Sequence, residues 1–163
     1  MEAMLPASYR PSLSALLPDN PSTYRGPLLP WCFACAYLIL ITARSLIHLF
    51  TDDGGAHSIA TIDTAVAGGA NIIALFGQWG AIQLLLAALL WVLLLRYRGS
   101  AALVLLVFTL EPMLRSLAGH LKPLTTVGTA PGARYNWLVV PVLLVMLFLS
   151  LCPPALLDAP QDG

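Results

Sequence analysis

Charge is scarce in this sequence. Charged residues make up 10% of its 163 positions, where soluble domains carry about a quarter. The formal net charge is zero and no basic stripe runs along any segment, which argues against a nucleic-acid partner. Cysteine is scarce as well: Cys32, Cys35 and Cys152 make no disulfide framework. No short basic-then-apolar leader opens the chain, so the first long apolar run reads as a span and not as a cleaved signal. No internal repeat stands out.

What the chain has instead is apolar surface. Apolar residues fill 58% of the positions, gathered into uninterrupted runs that a soluble fold of this size could not bury. The predicted fold class is all-α: a polytopic membrane protein built as a four-transmembrane-helix bundle. The spans are expected at about 28–50, 71–95, 101–118 and 137–157, within one transmembrane domain of residues 28–157. Each supplies roughly the 20 residues that cross a hydrocarbon core of about 30 Å at about 1.5 Å per residue. Residues 1–27 carry Pro6, Pro11, Pro18, Pro21 and Pro27 with several serines. Proline lacks a backbone donor and fixes φ, so this stretch is expected to be an extended or disordered tail. Residues 158–163 form a polar C-terminal tail.

The punctuation between spans is specific. Thr51-Asp52-Asp53-Gly54-Gly55 is a turn signal after the first span. The stretch from 56 to 95 is too long for one simple span and Gly68-Gly69 divides it. Its first part, 58–67, is expected to form a short extra interfacial or re-entrant helix holding Asp63. Arg96-Tyr97-Arg98-Gly99-Ser100 is a tight basic turn, and Gly119 and Pro123 end the third span. Trp31, Trp91, Tyr97, Tyr135 and Trp137 suit membrane interfaces, and Pro141 is expected in the first turn of the fourth span.

Four spans put Arg10, Arg25, Arg96 and Arg98 on one side of the bilayer and Lys122 and Arg134 on the other. The positive-inside rule then favours cytoplasmic N- and C-termini, with a bacterial inner (plasma) membrane as the expected setting.

With that topology the polar residues gather in the outer half. Arg44 lies roughly 7 Å outward of its span's middle and His48 about one turn further, on the same helix face. Gln78 and Trp79 reach the depth of Arg44 and Gln83 lies near the midplane. Glu111 sits near the centre of the third span, Arg115 one turn outward and His120 at the outer edge, while Asn136 opens the fourth span on that side. A charge at a span's centre disfavours insertion by about 3 kcal/mol on translocon scales. Arg44, Glu111 and Arg115 are therefore expected to face one another or a water-filled hollow. Pro112 removes the hydrogen bond to the carbonyl of Phe108 and bends the helix beside Glu111.

These residues are the candidate site. Arg44, His48, Gln78, Trp79, Arg115 and His120 are the candidate ligand-binding residues, and Glu111 is the candidate catalytic acid or base. The competing role for the charged trio is a structural ion pair. His48, His57 and His120, with Asp52, Asp53 and Asp63, offer metal-ligand types without any compact ligand spacing, and no metal site is assigned. A haem between His48 and His120 is a further reading, and no cofactor is identified. Cys32 and Cys35 form a CxxC in apolar surroundings, which favours packing over thiol exchange. Gly77 and Gly80 would let helices approach closely. The loop 125–133 is a candidate lid over an outer pocket, or a passive connector.

Four spans over about 28–157, a short first loop and a polar outer half resemble the DoxX-like group of small membrane proteins. That resemblance is architectural. It implies a four-helix bundle and a link to quinone and sulfur redox chemistry, with a sterol-isomerase branch of similar layout, and it carries over no functional residue. Three functions follow from the residues. The first is an accessory or redox-linked protein with an outer-facing polar pocket for a lipid, quinone or similar amphiphile. The second is an isomerase or hydrolase of a lipophilic substrate, with Glu111 moving the proton. The third is a small transporter or channel subunit, disfavoured because the inner half lacks polar groups. Membrane lipids are the expected partners, with a homo-oligomer or a larger membrane complex as the assembly to test.

Overall fold

A computed structural model of the chain describes residues 4–152. Four α-helices follow in order: α1 (Leu28–Phe50), α2 (Gly69–Arg96), α3 (Ala101–Leu121) and α4 (Pro131–Ser150). No strand occurs among the described residues. α1 packs chiefly on α2, and α3 on α4, with α1 contacting both members of the second pair. Three of the helices are long and apolar enough to cross a membrane. The fourth contributes a shorter apolar stretch, Arg134–Ser150. Large apolar side chains such as Leu75, Ile82, Leu85, Leu89 and Trp137 point out of the bundle.

The bundle has two unlike ends. The tail end gathers the start of α1, the end of α2, the start of α3 and the end of α4. Its buried core is Ala34, Leu38, Ala87, Leu90, Leu94, Ala101, Val104, Leu105, Phe108 and Leu143. All of these come from the half of each helix nearest that end. In the other half, the loop end, the buried side chains include Ser45, His48 and Pro112. Apolar packing thus anchors one half, and polar contacts organise the other.

Residues 4–27 take an irregular path with one turn of 3-10 helix, Leu13–Ala15. This stretch is tied to the tail end of the bundle. Gly99 N–H donates to the Pro21 carbonyl at 2.8 Å, Ser12 N–H to that of Leu151 at 2.9 Å, and Leu29 N–H to that of Met4 at 3.2 Å.

Between α1 and α2 the structure differs from expectation. No helix forms over 58–67. Residues 51–60 are a series of turns, with Gly54 and Gly55 at φ +57° and +72° and Thr61 at +56°. Three left-handed residues so close together are incompatible with a right-handed helix. The Asp53 carboxylate completes the turns by accepting the backbone N–H groups of Gly55 at 2.9 Å and Ser58 at 2.7 Å. Their donation holds its pKa below the usual carboxylate range, Ser58 contributing most.

Helix ends differ from the sequence reading too. α3 runs three residues beyond 118. α4 begins at Pro131, six residues before Trp137, because Ala130 is extended (φ −58°, ψ 137°) and the proline at the first helical position needs no donor. Pro141 therefore lies inside α4 and not in its first turn. Residues 153–157 of the expected fourth span, and the polar tail 158–163, lie outside the described residues.

Candidate functional site

The site is built where α1 and α3 bring charge, and α4 a neutral amide, to the loop-end half. Glu111 on α3 and Arg115 one turn later share a face, and Arg115 Nε donates to Glu111 Oε1 at 3.1 Å. Arg44 reaches the same oxygen from α1, its Nη2 lying 3.7 Å away. Arg115 also spans to α4, where Nη2 donates to Asn136 Oδ1 at 3.0 Å. Gly132 leaves room for that guanidinium: a Cβ there would sit 3.2 Å from Arg115 Nη1. One carboxylate oxygen thus joins α1 to α3, and one guanidinium joins α3 to α4.

Two guanidiniums face one carboxylate, so the cluster carries a formal excess of one positive charge. The three side chains keep 29–34% of their surface exposed. They are neither sealed in the core nor free on the surface. Arg44 Nε is buried and has no hydrogen-bond partner among the described residues. An unmet buried donor costs about 1–3 kcal/mol, and a ligand oxygen that approached it would remove that cost.

Pro112 is fully buried beside Glu111. It leaves the Phe108 carbonyl without its helical N–H. Phe108 meets Tyr37 edge-on, with ring centroids 5.0 Å apart. Tyr37 lies within electrostatic reach of Glu111, Arg44 and Arg115. The sequence reading did not assign Tyr37 to the site. Its spacing of seven residues from Arg44, which places both on one face of α1, is the signal that could have found it.

The remaining candidates divide. Trp79 borders the cluster, with the Arg44 guanidinium 5.9 Å from its ring centre. His48 is buried and serves the scaffold. Its Nδ1 lies 2.7 Å from the Gly54 carbonyl, so Nδ1 carries the hydrogen that donates to it. Its ring packs on Trp79 at 4.9 Å and on Phe76 at 5.7 Å. α1 and α2 come close here because of Gly80, where an added Cβ would lie 2.7 Å from His48 Cβ. His48 thus links α1, α2 and the turn at Gly54.

Gln78 is exposed on α2 and makes no hydrogen bond to the cluster. His120 is exposed near the end of α3, again without a hydrogen bond or ion pair among the described residues. Neither joins Arg44, Glu111 and Arg115. His57 Nδ1 turns to the Ile62 carbonyl at 3.1 Å, and Asp53 is engaged by the turn. Among the described residues no group of three or more His, Cys, Asp or Glu comes together. Cys32 and Cys35 are free thiols, Cys32 exposed on the bundle's flank.

The two loops at this end meet. Ile62 and Thr126 form an isolated antiparallel bridge, and Val127 N–H donates to the Thr61 carbonyl at 2.8 Å. The loop after α1 and the loop before α4 are therefore clasped to one another at the end of the bundle nearest the charged cluster.

A site with these parts can hold a carbonyl, carboxylate or phosphate oxygen between guanidiniums, with an indole beside it for an apolar body. No family model matches this chain, and neither the curated proteins nor the solved structures hold a match to it.

Proposed function

We propose that this chain is a four-span integral membrane protein that binds a lipid, quinone or similar amphiphile through the Arg44–Glu111–Arg115 cluster. The observation that carries the reading is the charge excess among long apolar helices together with the buried Arg44 Nε, which has no partner among the described residues. Ionisable groups inside a membrane are costly and are kept where they pair or serve a ligand. Here they pair incompletely. A polar head with one accepting oxygen would sit between the two guanidiniums, and Trp79 would flank its apolar part.

α4 would be the fourth span, since 20 residues reach about 30 Å. The tail end, with Arg10, Arg25, Arg96 and Arg98, would face the cytoplasm of a bacterium, and the cluster would open toward the other side. The apolar core that fills the tail half weighs against a through-channel within one copy. An accessory role alongside a redox partner fits a binding protein of this layout.

Gentle extraction followed by lipid analysis tests the reading. The native protein is expected to retain an amphiphile with a carbonyl or anionic head, and R44Q/R115Q to lose it. Equal retention by both proteins would overturn it.

A further inference from the structure

A second concavity lies at the opposite end, under the proline-rich tail. It has a volume of about 940 Å³. Its base is Gly99 and Ala102, at the turn from α2 into α3, and the end of α4 closes one side. The tail supplies the rest, and it is fitted and not merely adjacent. At Gly99 an added Cβ would lie 2.8 Å from the Pro21 carbonyl oxygen and 2.9 Å from that of Thr23, so only glycine admits the tail this closely. Behind the turn, Arg98 stacks on Trp31 with its guanidinium carbon 4.4 Å from the ring centre, and the Trp31 indole donates to the Leu94 carbonyl at 3.0 Å.

Arg10 and Arg25 both line this concavity. Among the described residues neither has an acidic partner. Ser12 and Ser14, whose hydroxyl oxygens are 2.7 Å apart, line the concavity too. Among the described residues Asp19 is the lining carboxylate, so their balance of charge is positive. The concavity sits at the ends of apolar helices, the level at which a headgroup lies if those helices span a bilayer. Arginine's planar fork matches phosphate oxygens, and basic residues at a membrane surface each add about 1 kcal/mol toward anionic lipid.

We propose that the tail-end concavity binds a phosphate group through Arg10 and Arg25, and that the group belongs to an anionic phospholipid headgroup. The proposal rests on the helices spanning the membrane and is independent of any ligand at Arg44. The tail then acts as a cuff that turns a generic basic end into a defined headgroup site.

The test uses the full chain in vesicles of phosphatidylcholine with a minor share of phosphatidylglycerol, followed by native mass spectrometry of the released protein. The native chain is expected to carry phosphatidylglycerol in preference. R10Q/R25Q should lose that preference by about twenty-five-fold, about fivefold for each guanidinium, and each single variant by about fivefold. Inorganic phosphate at millimolar concentration should compete with the lipid. R134Q, at the other end of the bundle, should behave as the native chain. Equal enrichment by the native chain and R10Q/R25Q overturns the proposal. So does binding of inorganic phosphate with no lipid preference, which would make a soluble phosphate ester the ligand. Resistance to alkaline extraction, measured on the same vesicles, tests membrane integration separately.

Discussion

Arg44 on α1 approaches Glu111 on α3 at 3.7 Å through Nη2, while its Nε is buried without a partner among the described residues. The ion pair is therefore made and yet leaves part of the guanidinium unsatisfied. Replacing Glu111 by Gln removes the only negative charge of the cluster and leaves two guanidiniums close together. E111Q is expected to lower stability by about 3 kcal/mol, the lower end of the cost of unpairing a buried charge, since these groups keep some exposure. R44Q/E111Q, with one cation left, should recover part of that loss. Thermal unfolding in detergent checks both variants. An E111Q melting point equal to the native one would show that the pair contributes nothing.

His48 is expected to act as scaffold. H48F keeps an aromatic ring against Trp79 and Phe76 but cannot donate to the Gly54 carbonyl. The expected loss is about 1–3 kcal/mol, with faster backbone hydrogen exchange concentrated over residues 51–60. Amphiphile retention by the folded fraction should be close to native.

The contact of α1 with α2 at Gly80 is predicted to be intolerant of size. G80V places branched carbons where the first added atom already meets His48 Cβ at 2.7 Å and the Leu49 amide nitrogen at 2.8 Å. Overpacking of this kind costs about 1–3 kcal/mol. G77A, whose added atom would meet nothing closer than 3.9 Å, should unfold like the native protein. Paired melting curves decide this, and equal losses would place the close approach elsewhere.

The turn at Asp53 should depend on pH in one direction. Donation from the Ser58 and Gly55 N–H groups lowers its pKa from the ordinary 3.8. A group whose folded pKa is depressed lends stability that is fully present above its unfolded pKa and is lost as pH falls through the folded one. Protection of residues 51–60 against proteolysis should therefore hold constant from neutral pH down to about pH 5 and decline below about pH 4. D53N should show the weakened loop at every pH. A native loop that loosens between pH 5 and 7 would point to a histidine instead.

Much of the bundle was legible in the sequence because its signals are long. α1 was placed to the residue, since an apolar run of about 20 residues bounded by Pro27 and an Asp-Gly turn leaves little freedom. The charged trio was legible for a similar reason: Glu111 and Arg115 share a face by spacing, and the cost of charge in a membrane requires a partner for Arg44. Local turns were harder to read. The residues 58–67 look helical by composition, but the Asp53 carboxylate caps a local series of turns and Thr61, in the left-handed region, is bonded to the loop before α4. The start of α4 was hidden because Pro131 and Gly132 read as loop residues until the glycine's role, making room for Arg115, is known. Gln78 and His120 lie on exposed faces of α2 and α3 and make no hydrogen bond to the cluster. Depth follows from counting residues, whereas the angle around a helix depends on which neighbour it packs against.

Photo-crosslinking tests the central claim most directly. The probe is an anionic amphiphile carrying a diazirine in its tail, applied to the protein in vesicles, with adducts mapped by peptide mass spectrometry. Adducts are predicted on α1 and α3 around Arg44 and Arg115 and on α2 around Trp79, and R44Q/R115Q should lose them. Adducts spread evenly over the lipid-facing residues, and unchanged in R44Q/R115Q, would contradict a ligand site at the charged cluster.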